Sequence, residues 1–541
     1  MKHSSTSSMI RRIALIGNYL PRQCGIAGAV LGPGPVTLSA QRILFNASHE
    51  LGLPAERNRT MTTRRDLLKL AGACAGSAAL VGLPIVGCAE STVQGAATKA
   101  ASKPNIVLIT ADDLGCQLSC YGEKRFRTPR LDAFAAEGVR FEHFYVAQSS
   151  CSPSRAALLT GRWPHQNGQI GLAHLGFRMH PGQRTLPKLL KSAGYRTAII
   201  GKLHVEPVAD FPWDWMPKKD KMAAGPTRNV RWVAQQSRQF FASAKASGQP
   251  FFYYVNFFDP HGPYTPDVNQ VEGVPEKPLR ASDIQEPFPL NAHDDAVKKR
   301  LTATIANTIL RVDAGVGLLL DELRSAGFAE NTLVLFIGDN GLPVNRGKTT
   351  SYEAGVRVPL LARWPGVVKV GQVRRELVSA LDLMPTILGA AGVTAPDDLA
   401  GQPLQSLLRG ETVKWRDLLF TEMNFHEPDM IKPQRTVRDA RYKLLLNLAP
   451  IGRQAPVELF DLQSDPDETK NLAEEPAHAA TRRRLEAALE DWREQTRDPL
   501  LDVARLQRWK DAAARWDKLP RVKAGASEVV HIPPGDLELL K

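Results

Sequence analysis

The sequence contains little cysteine for its length. Six cysteines occur among 541 residues, at Cys24, Cys74, Cys88, Cys116, Cys120 and Cys151. They show no paired spacing of the zinc-binding kind, and a disulfide framework would need more of them in a chain this long. Cys116 and Cys120 are either a bridge formed in an oxidising compartment or two small buried thiols. A zinc-finger module and a disulfide-built fold are therefore excluded.

The sequence also lacks an internal repeat and a long uninterrupted apolar run. Gly and Pro interrupt the apolar stretch that follows Arg65, which falls short of the ~20 residues that span a membrane. Of all residues, 43% are hydrophobic and 23% are charged, the composition of a globular protein of about two domains. General disorder is excluded.

An acidic excess is absent, since the formal net charge is +13. The first 100 residues contain eleven Lys or Arg and four Asp or Glu, so +7 of this charge precedes the expected folded part. The basic pI consequently gives no indication of nucleic-acid binding, and we expect no nucleic-acid partner. The mildly basic remainder suits an anionic substrate, although an ordinary solvated surface accounts for most of it.

The first hundred residues are predicted to contain the signal that directs the protein to export. Residues 61–88 contain a twin arginine, Arg64 and Arg65, and an apolar run that ends in Ile-Val-Gly-Cys at Cys88. This resembles a Tat-type lipoprotein signal, which predicts a periplasmic or outer-membrane-anchored protein lipidated at Cys88. Cleavage nearby, giving a soluble periplasmic protein, is the alternative. Residues 1–60 are interpreted as an unstructured extension of the gene start, and residues 89–102 as a flexible linker.

The next 300 residues alternate strand and helix patterns. Four continuous apolar, β-branched runs are typical of strands buried on both faces, and amphipathic helical stretches lie between them. This alternation predicts an α/β domain over residues 103–410. The strand runs are Asn105 to Thr110, Thr197 to Ile200, Phe251 to Phe257 and Thr332 to Ile337, and the helical stretches include Leu186 to Ala193 and Ile305 to Ala326.

The pattern changes after a Gly-rich loop near residues 404–412. Short strand candidates follow at Asp417 to Glu422, Thr436 to Val437, Lys443 to Leu446 and Glu458 to Asp461, and then a helix from Ala480 to Arg493. Residues 411–541 are therefore predicted to be a smaller C-terminal α+β domain, with an irregular basic tail from about Arg497.

Acidic and amide side chains directly follow two of the predicted strands. Asp112 and Asp113 come after the first strand, and Asp339 and Asn340 come after a later one. Ligand sites in α/β sheets gather at the carboxyl ends of strands, and oxygen-only ligands favour calcium or magnesium. Both Asp side chains can reach one ion only if the chain bends there, for which Gly115 is the candidate. Turn-forming Asp residues after a strand are the alternative interpretation.

The segment Cys151 to Gly161, CSPSRAALLTG, has an unusual cysteine at its start. Ser152 is predicted to cap a helix with Pro153 in its first turn, which places Cys151 at the positive helix end where an anion would bind. Arg155 adds a fixed cation. A packed, inert thiol is the alternative for such a cysteine.

This segment resembles the sulfatase signature, C/S-x-P-x-R-x4-T-G, in full. The resemblance implies an alkaline-phosphatase-like α/β sandwich with a large mixed central sheet flanked by helices. It also implies conversion of Cys151 to formylglycine by a formylglycine-generating enzyme. The hydrated aldehyde then supplies the attacking oxygen, which suits a hard cation better than a thiolate does.

The same resemblance assigns the remaining site residues. It implies a calcium site, with magnesium as the weaker choice, and catalytic groups in the segments GKLH, DPHGPY and RGKTTSYEAGVRVP. Surface lysines and structural histidines are the alternative for these residues taken singly. The implied metal ligands are Asp112, Asp113, Cys151, Asp339 and Asn340, and the implied catalytic residues are Cys151, Arg155, Lys202, His204, His261 and Lys348.

Within the family, the flanking segments resemble the N-sulfoglucosamine sulfohydrolases. These segments include HQNG at residues 165–168, the run from Asp339 to Pro343, and LFDLQSDPDETKNL. Lys348 stands where that branch has Arg, so the bidentate fork is lost while the charge is kept. We expect a sulfated saccharide as substrate, with His165, His426 and Glu427 as contacts and loops 171–182 and 267–294 forming the leaving-group pocket.

Three other functions remain open from the sequence. An O-sulfatase acting on aryl or sugar sulfates shares the signature, and a phosphonate monoester or phosphodiester hydrolase of the same superfamily can use the same modified cysteine. A catalytically inactive, lipid-anchored carbohydrate-binding protein would be expected to lack a metal or nucleophile residue. None of those residues is missing from this sequence.

Overall fold

A computed structural model describes residues 103–218, 225–292, 294–426, 433–452, 454–518, 521–524 and 527–530. The predicted segments 1–60, 61–88 and 89–102 lie outside the described residues, as does Glu427. The boundary predicted between residues 410 and 411 stays a prediction.

The described chain contains strands in two main sheets and two small pairs. Their bounds are β1 (Asn105–Asp112), β2 (Val139–Phe141), β3 (Phe144–Tyr145), β4 (Arg196–Ile200), β5 (Phe251–Pro260), β6 (Thr332–Gly338), β7 (Leu360–Arg363), β8 (Gln372–Arg374), β9 (Val378–Ser379), β10 (Leu419–Met423), β11 (Gln434–Arg438), β12 (Tyr442–Asn447), β13 (Val457–Asp461), β14 (Arg521–Ala524) and β15 (Ser527–Val530).

A seven-stranded mixed sheet forms the centre of the catalytic part, in the order β4-β5-β1-β6-β7-β2-β8. Strand β1 is parallel to β5 and β6, and β4 is parallel to β5, whereas β7 is antiparallel to β6 and β2. The four strand runs that the sequence predicted are therefore the four parallel strands of this sheet, β4, β5, β1 and β6, with β4 at its edge. Their carboxyl ends lie at one edge, where a site is expected.

Both faces of this sheet are covered. Along β1, Ile106 and Leu108 belong to one buried cluster, whereas Val107 and Ile109 belong to another on the opposite face. A strand buried on both faces has to be apolar at every position, because successive side chains point to opposite sides. The α/β sandwich with a mixed central sheet is thereby confirmed.

Eleven α-helices surround the sheets in the described chain. Their bounds are α1 (Pro129–Ala136), α2 (Cys151–Thr160), α3 (Pro164–Asn167), α4 (Leu186–Ser192), α5 (Val230–Ser247), α6 (Asp295–Ser325), α7 (Glu353–Val356), α8 (Leu383–Ala390), α9 (Gln405–Leu408), α10 (Ala479–Thr496) and α11 (Val503–Asp517).

Helix α6 is ten residues longer at its start than the sequence pattern predicted. The side chain of Asp294 accepts hydrogen bonds from the backbone N–H groups of Ala296 and Val297, so an N-cap sets the true beginning. By length and composition α6 could cross a membrane, but 78% of its most apolar 18-residue stretch is buried inside the protein. Its packing against α5 and β5 identifies it as a core helix.

The C-terminal part contains an antiparallel sheet in the order β10-β11-β12-β13. Helix α10 packs on it through Leu485, Leu489 and Trp492. The expectation of an irregular tail after Arg497 was wrong, because α11 follows. The buried residues Trp509, Ala512, Ala513 and Trp516 of α11 have the spacing of one helix face.

Candidate active site

The two acidic pairs meet where strands β1 and β6 end. Ala111 of β1 lies opposite Gly338 of β6, so the residues that follow both strands emerge side by side. The backbone N–H of Asp113 donates to Asp339 Oδ1 over 2.9 Å. Asp113 has a φ of 66°, so the bend that turns both Asp side chains into one site lies at Asp113 itself and not at Gly115. Left-handed backbone is tolerated by Asp better than by most residues.

Cys151 is the first residue of helix α2 and is buried beside these carboxyl groups. Its Sγ lies 3.5 Å from Asp112 Oδ1 and 3.7 Å from Asp113 Oδ1. Burial raises the pKa of this thiol far above its usual range, in spite of the nearby Lys202 and Lys348. The unmodified side chain is thus a neutral thiol, which is a weak nucleophile.

The N-cap of α2 is Ser150, not Ser152 as the sequence suggested. The hydroxyl of Ser152 lies within the first turn and accepts a hydrogen bond from the backbone N–H of Ala173 over 3.0 Å. It therefore ties the loop after residue 170 to the helix that carries Cys151.

Arg155 lies one turn into α2 and is fully buried. Its Nε donates to Asp339 Oδ2 over 2.8 Å, and its Nη1 donates to Asn256 Oδ1 over 2.6 Å and to the carbonyl oxygen of Lys202 over 2.9 Å. These contacts join the residues after β4 and β6 to strand β5. Sequence analysis missed Asn256, whose place in β5 gave no sign of a polar contact.

Two lysines neutralise the acidic pair after β1. Lys202 Nζ lies 2.7 Å from Asp112 Oδ2, and Lys348 Nζ lies 2.8 Å from Asp113 Oδ1. Although burial opposes it, Lys202 and its neighbours hold the pKa of Asp112 well below its usual range. Burial and the charge of Asp112 raise the pKa of Asp339 to about 7. Asp339 therefore ionises less readily than Asp112.

His261 approaches the cluster from the loop after β5. Its Nε2 lies 3.8 Å from Asp113 Oδ2, and its Nδ1 lies 2.9 Å from the carbonyl oxygen of Gly262. Donation by Nδ1–H to that oxygen leaves Nε2 facing the cluster. Burial lowers the pKa of His261 although Asp113 opposes this, so the imidazole is neutral at pH 7.

A buried group of charges holds the His261 loop. Arg228 Nη2 donates to the carbonyl oxygen of His261 over 2.8 Å, and its Nη1 lies 2.9 Å from Asp259 Oδ1. Arg311, which is fully buried on α6, donates from Nε to Asp259 Oδ2 over 2.6 Å. Asp259 thus links the longest helix to the loop that carries His261.

His204 lies at the site with an unexpected partner. Its Nε2 is 3.0 Å from His174 Nδ1, and the two rings are stacked with centroids 5.2 Å apart. Its buried Nδ1 has no hydrogen-bond partner among the described residues. Burial and Lys202 hold the pKa of His204 well below its usual range. His174 belongs to loop 171–182, and nothing in the local sequence singles it out.

The predicted saccharide contacts fall in two places. His426 Nδ1 lies 2.9 Å from Ser150 Oγ, and burial together with Lys348 holds its pKa well below its usual range. His426 therefore borders the site. His165 contacts Glu422 through Nδ1 and the carbonyl oxygen of Thr496 through Nε2, so the structure places it in a buried interaction with the C-terminal part.

The ligand set fits a hard divalent cation. Asp112, Cys151 and Asp339 present ligand atoms that all lie within 4.8 Å of one another, as do Asp113, Cys151 and His261. The amide oxygen of Asn340 is buried and has no hydrogen-bond partner among the described residues, while its Nδ2 donates to Asp113 Oδ1 over 2.9 Å. An orphaned buried acceptor beside three carboxyl groups is what an oxygen-coordinated cation would satisfy.

Comparisons with known proteins define the class. A sulfatase family model matches residues 104–393, and a model for the C-terminal part of N-sulphoglucosamine sulphohydrolase matches residues 346–495. The chain belongs to the sulfatase family and is a sulfuric ester hydrolase.

Individual relatives extend this result. N-sulphoglucosamine sulphohydrolase of Homo sapiens is 33% identical over 462 residues, covering 73% of this chain and 91% of the relative. An ulvan-active sulfatase of Formosa agariphila is 30% identical over 425 residues, covering 72% and 80%. Arylsulfatase A of Homo sapiens is 30% identical over 456 residues, covering 69% and 84%.

Solved structures share the fold. A protein in complex with its substrate D-glucosamine-2-N,6-O-disulfate has a TM-score of 0.60 at 22% identity, covering 73% of this chain and 99% of that one. A phosphonate monoester hydrolase from Silicibacter pomeroyi has the same TM-score at 22% identity, covering 74% and 97%.

The Arg228 contact gives a prediction about His261. Replacing Arg228 with Gln removes the donor that fixes the His261 carbonyl, so we expect kcat for sulfate release to fall about tenfold with little change in KM. Arg231→Gln is the matched control, because Arg231 is exposed and donates to the carbonyl oxygen of Glu272, away from the His261 loop. Equal kcat values for Arg228→Gln and the unaltered protein would show that the loop holds His261 without this arginine.

Proposed function

We propose that the chain hydrolyses sulfate from a sulfated saccharide, with N-sulfated glucosamine as the preferred terminal unit. The observation that carries this proposal is the position of Cys151, against three carboxyl groups and two lysines at the carboxyl ends of the central strands. Sulfate esters and sulfamates are anionic, so their hydrolysis needs charge neutralisation, a strong oxygen nucleophile and a proton donor.

Residue 151 is proposed to act as formylglycine. The neutral, buried thiol next to Asp112 is badly suited to attack an anion, and a softer sulfur is a poor neighbour for a hard cation. The hydrated aldehyde of formylglycine supplies an oxygen nucleophile at the same position. Asp112 and Asp113 lie close enough to residue 151 to accept the proton of that hydroxyl group.

Calcium is the proposed metal, with magnesium second. Asp112, Asp113, Asp339, Asn340 and the formylglycine at residue 151 would hold it, and it would supply positive charge at the reacting oxygen. The orphaned Asn340 Oδ1 and the raised pKa of Asp339 both support a missing positive charge at this position.

Cationic and imidazole groups are proposed to bind the sulfuryl oxygens and the leaving group. Lys202 is paired with Asp112 and Lys348 with Asp113, and these two carboxyl groups lie next to residue 151. Arg155 adds a third positive charge and holds Asp339 in place. His261 is the proposed proton donor to the leaving amine or alcohol, once its Nε2, 3.8 Å from Asp113, has taken up the proton that Asp113 accepts from the hydroxyl group. His204 is the second choice, because its partner His174 already occupies Nε2.

The preference for N-sulfated glucosamine rests on the relatives. The human relative that matches this chain over 91% of its own length is named N-sulphoglucosamine sulphohydrolase. The family model for the C-terminal part names the same enzyme. Lys348 departs from the arginine of that branch, which leaves O-sulfated sugars as the second candidate.

The enzyme assay is a panel of substrates with and without chelator. We expect sulfate release from N-sulfoglucosamine to exceed release from 6-O-sulfated glucosamine and from nitrophenyl sulfate, and a chelator to abolish it. Lys202→Ala should lower kcat/KM on the order of tenfold to a thousandfold, because it removes one sulfuryl contact. Faster hydrolysis of a phenyl phosphonate ester than of every sulfate would contradict the proposed activity.

Maturation and export are proposed to be ordered. A Tat route carries folded proteins, so a formylglycine-generating enzyme would have to modify Cys151 before the chain leaves the cytoplasm. The mature chain would then begin at a lipidated Cys88 in the periplasm or at the outer membrane. Residue 151 is buried in the folded protein, which supports modification before folding is complete.

Mass spectrometry of the exported protein tests this order. The peptide that contains residue 151 should lack its sulfur, and the first peptide should begin at Cys88 with a lipid attached. An intact thiol at residue 151 in active, exported protein would contradict the modification. An unlipidated first residue after position 88 would instead identify the soluble periplasmic form.

A further inference from the structure

A cavity lies beside the catalytic cluster. It has a volume of about 800 Å³ and lies between the loop of residues 168–181 and the C-terminal segment 497–509. Cavities of this size accommodate small ligands in proteins. None of the catalytic and metal-binding groups assigned above lines it.

Three chain segments connect this cavity to the active site. In each, one residue lines the cavity while another, one or two positions away, belongs to the catalytic surroundings. Because two residues span at most about 7 Å, the two sites are neighbours. The pairs are Ala173 with His174, Glu206 with His204, and Asn424 with His426.

The cavity wall carries an excess of positive charge. Arg178, Arg497 and Arg505 line it, against the single carboxylate of Glu206. Over the described ranges, the guanidinium groups of Arg178 and Arg497 have no carboxylate within 4 Å and donate no hydrogen bond. Arginine forks match the geometry of sulfate and carboxylate groups.

The backbone that carries these two arginines is held by buried contacts. Asp498 accepts hydrogen bonds from Arg435 at 2.8 Å and from Arg493 at 2.9 Å, which fixes the residue after Arg497. The carbonyl oxygen of Phe177, before Arg178, accepts from Gln169 Nε2 over 2.9 Å. The backbone at Arg178 and Arg497 is therefore held without a ligand, whereas both side chains are exposed.

Buried apolar side chains lie behind the rest of the wall. Phe177, Leu500 and Trp509 border the cavity and are almost completely buried. The buried indole N–H of Trp509 has no acceptor in the described part of the chain, which leaves one donor in the wall unsatisfied. Arg497 and all of α11 follow residue 495, where the matched C-terminal family model ends.

We propose that this cavity is a second saccharide subsite, for the sugar next to the one whose sulfate is hydrolysed. Arg178 and Arg497 bind a sulfate or carboxylate group on that sugar. The substrate class is consequently an oligosaccharide with an anionic group on consecutive units. This inference rests on the proposed function, because it assumes that a saccharide occupies the neighbouring active site.

Separate measurements of binding and of turnover distinguish the second subsite from the proposed function. The full chain with Cys151→Ala, which cannot turn substrate over, is titrated calorimetrically with a sulfated heparin tetrasaccharide. Adding Arg178→Gln and Arg497→Gln should raise Kd about tenfold, and raising the salt concentration should reduce the difference. Arg508→Gln is the matched control, because Arg508 is exposed on α11 and does not line the cavity.

Three results would overturn the subsite. These are an unchanged Kd in the double variant, an equal rise in the Arg508→Gln control, and equally tight binding of the desulfated tetrasaccharide. Sulfate release from monomeric N-sulfoglucosamine is measured in parallel with Cys151 in place, and should be the same for the unaltered protein and for the Arg508→Gln control. No release by the unaltered protein would refute the proposed function while leaving the binding result to decide the subsite.

Discussion

The buried carboxyl cluster of Asp112, Asp113 and Asp339 is the constraint on which the rest of the structure depends. Three carboxyl groups excluded from water repel one another, and each charge there is costly unless a cation compensates it. Lys202, Lys348 and Arg155 supply that compensation. Burial and the charge of Asp112 nevertheless raise the pKa of Asp339. A protein retains such an arrangement when a bound cation completes it or when chemistry requires it.

The fold brings the three carboxyl groups together through the parallel strands of its central sheet. Strands β1 and β6 run side by side, so the residues after them emerge at one edge although 226 residues separate Asp113 from Asp339. Helix α2 begins at the same edge and brings Cys151 and Arg155 to the cluster. The left-handed backbone at Asp113 is the local cost of pointing two consecutive carboxyl groups into one site.

The central architecture could be predicted from the sequence because its signals are local. Continuous apolar runs identified β1, β4, β5 and β6, since strands buried on both faces need them. The acidic pairs then followed from where those strands end. Sulfatase membership followed from one contiguous segment at residues 151–161, together with residues in family order.

Other features depend on contacts between distant segments and could not be predicted in this way. The partnership of His174 with His204 arises because Ser152 ties the loop of residues 171–182 to α2. Asn256 looks like an interruption in an apolar strand until Arg155 is placed beside it. Helix α11 was missed although its buried face has helical spacing, because the basic residues between those positions obscured the pattern. The contact of His165 with Glu422 likewise cannot be predicted from the local sequence around either residue.

The central claim is that oxygen ligands from the two strand ends hold a divalent cation against residue 151. Anomalous diffraction from crystals grown with calcium or manganese tests it most directly. We expect one peak at about 2.3–2.6 Å from oxygens of Asp112, Asp113, Asp339 and Asn340, adjacent to the side chain of residue 151. A peak elsewhere in the protein, with this cluster still bridged only by Lys202 and Lys348, would contradict the account.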